Sequence, residues 1–166
     1  AGRPLEEATS VLMVLMFSGA LGRILGGKLC DVTGALPSYL LMSAGQTLSV
    51  VWFPFLESTT SIYLVAVIFG FTYSGVMSTI LVCTRMMVSA NYAARAMSIT
   101  SFFGWFGMGA GGFMGGLLFD MNGNYNASFI AAMAVGSINL MVLTLFSLRI
   151  RRQSSVTSEV RLSGNA

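Results

Sequence analysis

"GGKLCDVTG", residues 26 to 34, returns at residues 115 to 123 as "GGLLFDMNG". The two phrases share Gly-Gly, a leucine, an aspartate and a final glycine at matching places, 89 residues apart (115 against 26). Each closes a long hydrophobic run. In a chain with 19 glycines a nine-residue match proves little alone. Its meaning depends on where the two copies sit.

The surrounding composition settles the solvent. Of 166 residues, 55% are hydrophobic and only 9% charged, against about 25% charged in an ordinary soluble domain. Val32 to Leu56, Ser58 to Thr84, Ala96 to Phe119 and Met121 to Leu148 contain no Asp, Glu, Lys or Arg. Each run exceeds the ~20 apolar residues that a helix needs to cross a bilayer core. A soluble chain this short cannot bury all four, so the sequence reads as an integral membrane protein. Continuous apolar runs favour helices over barrel strands, which would be ~10 residues long with alternating polarity.

The expected fold is therefore all-α, with five transmembrane helices. They are Ala8–Leu29, Leu36–Leu56, Ser61–Cys83, Ala96–Phe119 and Ala127–Leu148. Pro37 suits the first turn of the second span, where a missing N–H costs little, and Pro54 helps to end it. The bundle takes up residues 1–152, and the Ser-rich stretch 153–166 is expected to be a disordered cytoplasmic tail. The start lacks the basic region of a cleavable signal peptide. Its opening on Ala1 rather than Met suggests truncation.

Orientation comes from lysine and arginine. The first and third connections and the tail carry Lys28, Arg85, Arg95, Arg149, Arg151, Arg152 and Arg161. Arg3, Glu6, Glu7, Glu57 and Asp120 belong to the other side. Basic segments stay cytoplasmic. The N-terminus of this chain is then outside and the C-terminus inside, in a multi-pass protein of the cell membrane. Its basic balance fits topology and anionic lipid, with no interleaved platform for nucleic acid.

The repeated phrase now has a place. The first copy falls at the cytoplasmic end of span one and the second at the outer end of span four, three helices later and upside down. An inverted three-helix repeat produces that pattern, and it is typical of secondary transporters.

Gly27-Lys28-Leu29-Cys30-Asp31-Val32-Thr33-Gly34 resembles the cytoplasmic gating signature of the major facilitator superfamily, glycine-x-leucine-x-aspartate-arginine-x-glycine-arginine. Gly27, Leu29, Asp31 and Gly34 match, while Val32 and Ala35 replace its basic residues. That weakening is usual in the signature's second-half copy. The resemblance implies that the chain covers helices eight to twelve, with helix seven and the N-terminal transporter half missing. Asp31 would then meet a helix N-terminus of the other half.

Span four carries "GWFGMGAGGFMGG", with Gly107, Gly111 and Gly115 at four-residue spacing. Small-xxx-small spacing suits close helix packing. The stretch is also similar to the family's antiporter motif, with Gly112 in place of its proline.

Arg23 carries the most chemistry. It lies about 7.5 Å deeper than Lys28, at 1.5 Å per residue, and an arginine placed centrally in a membrane helix needs a partner or a wet cavity. It would clamp a carboxylate through two parallel hydrogen bonds, or snorkel to the cytoplasmic interface. Monocarboxylate transporters and oxalate–formate antiporters, which this chain is similar to, have a substrate-contacting arginine at a like place. Their aspartate one turn earlier is Gly19 here, which leaves a coupled proton or counter-substrate open. Tyr73 falls where the monocarboxylate family has a cavity aromatic, and it also suits packing. Gln46 and Asn139 are expected to make interhelical hydrogen bonds. Phe102, Phe103, Trp105 and Phe106 fit an interfacial belt or a gate.

With no histidine and no carboxylate pair, no catalytic residue, metal site or cofactor is expected, and the chain does not read as an enzyme. The resemblance implies the C-terminal part of a secondary active transporter for small organic anions, working by alternating access. The alternatives are a non-transporting assembly or scaffold protein, a major facilitator transporter for another class of small molecule, and, more weakly, an intramembrane enzyme.

Overall fold

The computed structural model describes residues 5–56 and 58–163, with side chains for 6–56 and 58–150. Arg3, Glu57 and the last three residues, on which part of the orientation and tail readings rests, lie outside the described residues. Five α-helices follow one another: α1 (Leu5–Thr33), α2 (Ala35–Trp52), α3 (Thr59–Met87), α4 (Ala90–Asn122) and α5 (Asn126–Ser163). A 3₁₀ turn at Phe53–Phe55 closes α2 around Pro54. Four helices, α1, α3, α4 and α5, are long and apolar enough to cross a membrane. Helix α2 is shorter, at 18 residues, and carries Ser38, Ser43, Gln46, Thr47 and Ser49. Three of these hydroxyls donate back to carbonyls one turn earlier, Ser38 to Gly34 at 2.7 Å, Thr47 to Ser43 at 2.9 Å and Ser49 to Gly45 at 2.7 Å. Satisfied in this way, they can lie inside an apolar bundle.

Two boundaries differ from the sequence expectation, for one reason. The connection expected over residues 84–95 shrinks to the two residues between Met87 and Ala90. Helix α5 runs on to Ser163 where a disordered tail was expected from residue 153. Neither stretch contains glycine or proline, so no breaker stops the helix where the apolar run ends.

Helix directions follow from the contacts. Helix α1 lies parallel to α3, with Ser10 bonded to Tyr63 near one end and Gly26 against Gly75 further along. Helix α2 runs antiparallel to α3, pairing Gly45 with Thr72 and Phe53 with Phe69. On its other side it meets α5, where Asn139 donates to Ser43 Oγ at 2.6 Å. That is the interhelical bond expected of Asn139; Gln46 makes none among the described residues. Helix α4 is antiparallel to α3, with Thr84 and Thr100 hydroxyls 3.4 Å apart.

The two copies of the opening phrase therefore finish at opposite ends of the bundle. They finish on a positive-φ glycine with the same hydrogen bond, although Gly123 is left-handed helical, with ψ 7°, and Gly34 has an extended ψ of 155°. Gly34 and Gly123 are the positive-φ residues among those described, at 92° and 68°. Each donates its N–H to the carbonyl four residues back, Gly34 to Cys30 at 3.0 Å and Gly123 to Phe119 at 2.7 Å. These carbonyls hold the same place in each phrase. A left-handed residue costs an L-amino acid roughly 1–2 kcal/mol, which is the reason for glycine. Gly123→Ala should therefore lower stability by about 1 kcal/mol, read from the thermal midpoint of the purified chain. A Cβ there would meet nothing within 4 Å, so the backbone conformation alone sets the effect.

The close packing occurs elsewhere than expected. A Cβ on Gly107, Gly111 or Gly115 would find nothing within 4 Å, and α4 has no buried residue among those described. The α4 ladder thus packs on no helix of this chain, apart from Ser128 Oγ donating to the Gly115 carbonyl at 3.1 Å. The tight seam is α1 on α3. A Cβ on Gly22 would lie 2.8 Å from Phe71 Cα, one on Gly26 would lie 3.2 Å from Gly75 Cα, and one on Gly70 would overlap the Leu15 carbonyl. Backbone meets backbone along this seam. Helix α3 is the hub, burying Ala66, Gly70, Thr72, Gly75, Val76, Thr79 and Cys83. Cys83 and Cys30 are both free thiols filling space beside Ala35.

Candidate functional site

The α1–α3 seam determines where Arg23 goes. With Gly22 pressed onto Phe71, the next side chain along α1 emerges at the level of Tyr73. Both line a cavity of about 300 Å³ between α1, α3 and α4. Helix α3 supplies Tyr73, Val76, Met77, Ser78, Ile80 and Leu81, which recur on one helical face. The opposite wall is Thr100, Ser101, Gly104, Trp105 and Met108 of α4, again one face at intervals of three to four.

Tyr73 is braced from behind. Its ring stacks on Phe69 at 5.6 Å, Phe69 meets Phe53 edge-on at 5.8 Å, and Phe53 stacks on Phe129 at 6.0 Å. This aromatic row runs from α5 through the turn that closes α2 to Tyr73 at the cavity. Among the described residues the Arg23 guanidinium has no hydrogen bond or ion pair. A planar cation with its donors uncommitted, beside a phenol and apolar walls, is equipped to receive an anion with two acceptor oxygens.

The Major Facilitator Superfamily model matches residues 3–164. The chain belongs to the major facilitator superfamily. No curated protein and no solved structure matches the chain. As a major facilitator chain, it is a multi-pass membrane protein of a transporter family.

The signature residues stand apart from that cavity. Gly27, Asp31 and Gly34 lie at the far end of α1, where Asp31 is exposed. The turn they form is stitched by hydroxyls. Thr33 Oγ1 donates to the Leu29 carbonyl at 3.0 Å and pairs with Ser38 Oγ at 2.8 Å. Asp31 has no hydrogen-bond partner among the described residues, so its carboxylate is available to a group outside this chain.

Two of the sequence-selected residues, Arg23 and Tyr73, thus share a cavity, although 50 positions separate them in the chain. The α4 wall was missed. Trp105 lines the cavity, whereas the sequence left it between an interfacial belt and a gate. The available signal was periodicity: Thr100, Gly104 and Met108 share a face at four-residue spacing with Ser101 and Trp105 beside them.

Proposed function

We propose that this chain is the C-terminal part, helices eight to twelve, of a secondary active transporter that moves small organic anions, monocarboxylate-like, by alternating access. The observation that supports this most is the uncommitted Arg23 guanidinium beside Tyr73 in a cavity walled by three helices. An intramembrane arginine costs ~2.5–3.5 kcal/mol on insertion scales. With no protein partner here, bound substrate is the natural recipient of its hydrogen bonds. The unpacked face of α4 and the exposed Asp31 agree with a second bundle completing the structure. Asp31 with Gly27 and Gly34 then serves as the cytoplasmic latch, a charge at a helix end worth roughly 0.3–1 kcal/mol. The same reading puts the chain in the cell membrane with its N-terminus outside and its C-terminus cytoplasmic, following the positive-inside rule.

Two bundles are needed to open a site alternately to each side. Proteoliposomes holding this chain alone are therefore expected to show no saturable uptake of a labelled monocarboxylate, and co-expression with a complementary N-terminal half should restore it. Saturable uptake by the chain alone would contradict the two-bundle reading.

A further inference from the structure

We infer that the cargo of this cavity is an amphipathic monoanion, one carboxylate on a bulky apolar body, rather than a dianion such as oxalate. This rests on the reading of Arg23 as the anion anchor and narrows what the anchor holds. Among the described residues Arg23 is the one charged side chain on the cavity wall. A second carboxylate would lie among Met77, Ile80, Leu81, Trp105 and the uncharged Ser78, Thr100 and Ser101, with no cation among the described residues to meet it, and a buried charge without a counter-ion is strongly disfavoured.

Of the hydroxyls on the wall, those of Tyr73 and Ser101 have no hydrogen bond among the described residues, and the other two are engaged. Ser78 Oγ donates to the Ser74 carbonyl at 3.5 Å, and Thr100 Oγ1 pairs with Thr84 Oγ1 at 3.4 Å. Trp105, by contrast, shows 71% of its surface, and Met77 and Met108 have the pliable side chains that conform to varied apolar shapes.

Among the described residues the cavity is charged at one end only. Arg23 and Tyr73 share a level, and from Tyr73 the α3 wall continues to Leu81, eight residues or about 12 Å along the axis. A carboxylate bound at Arg23 would direct its tail down that trough. At ~30 Å³ per non-hydrogen atom, the cavity accepts roughly ten such atoms, a larger guest than lactate or oxalate.

The test is competition binding to the 166-residue chain in lipid nanodiscs, with labelled 4-phenylbutyrate as probe. The competitors are straight-chain carboxylates of increasing length and the matching α,ω-dicarboxylates, and signal retained by the Arg23→Lys chain is subtracted as lipid partitioning. Affinity should rise about fourfold per methylene, from ~0.8 kcal/mol each, and level off near about eight carbons, when the cavity is full. Each dicarboxylate should bind about tenfold or more weakly than the monoacid of its length. Trp105→Ala, at an exposed position, should flatten the dependence on length. If Arg23→Lys abolishes binding but dicarboxylates match or exceed the monoacids, this inference is wrong while the anion anchor stands. If wild type and Arg23→Lys bind every acid alike, or neither binds any, the anchor fails and the inference with it.

Discussion

Arg23→Lys is expected to reduce organic-anion uptake by roughly 10- to 100-fold when this chain is paired with its complementary half. Expression and membrane insertion should be unchanged. The substitution keeps the positive charge and removes the planar fork. A hydrogen bond to a charged group contributes about 1.5–3 kcal/mol, and lysine offers a carboxylate one point contact where arginine offers two parallel ones. Stability should not suffer, because Arg23 bonds to nothing else among the described residues. A snorkelling arginine predicts a different outcome, since lysine snorkels as well. Wild-type uptake by the lysine variant, at equal surface expression, would establish that the side chain only seeks the interface.

Gly22→Leu is expected to abolish the folded bundle. Its Cβ would lie 2.8 Å from Phe71 Cα. That neighbour is backbone inside a helix and cannot swing aside as a side chain would. The helices must separate, and the loss propagates: Gly26 leaves Gly75, and Arg23 loses its position beside Tyr73. Overpacking commonly costs 1–3 kcal/mol where neighbours can adjust, and more is expected at a backbone contact. Size-exclusion profiles in detergent and the thermal midpoint give the readout, with Gly107→Leu as the comparison. In this chain alone Gly107→Leu should behave as wild type, because nothing lies within 4 Å of a Cβ there. Equal damage from both variants would mean that α4 packs closely on a neighbour after all.

The contrast between those two glycines shows what was legible in the sequence. Membrane class and helix number follow from charge-free runs, whose length is a direct physical requirement of the bilayer. The repeated phrase foretold two similar helix ends pointing opposite ways, and Gly34 and Gly123 share both positive φ and the same hydrogen bond. Spacing could not say which glycine face meets another helix. The α4 ladder is the denser pattern, yet the seam forms through Gly22 and Gly26 of α1, because contact depends on what the facing helix presents. Phe71 and Gly75 of α3 leave their backbone open to approach. The ends of α3, α4 and α5 differ from the expectation where hydrophobicity stopped but no glycine or proline broke the helix.

The candidate site was half legible for the same reason. Arg23 stands out because a charge in an apolar helix is costly, and Tyr73 because of the resemblance. That they share a wall depends on the α1–α3 register, which no local pattern encodes. Trp105, Thr100 and Ser101 carried no cost signal. Aromatic and hydroxyl groups are ordinary in membrane helices, and only the fold turns them toward Arg23.

The central claim is that the Arg23 guanidinium directly holds the carboxylate of an organic anion. It is tested most directly by magnetic resonance on the chain labelled with ¹⁵N-arginine in nanodiscs and titrated with ¹³C-carboxylate phenylbutyrate. The expected result is a saturable shift of one guanidinium signal, with dipolar coupling between that nitrogen and the bound carboxylate carbon, both lost in Arg23→Lys. Anion binding without such coupling, or coupling that survives in Arg23→Lys, would place the anion elsewhere and contradict the account.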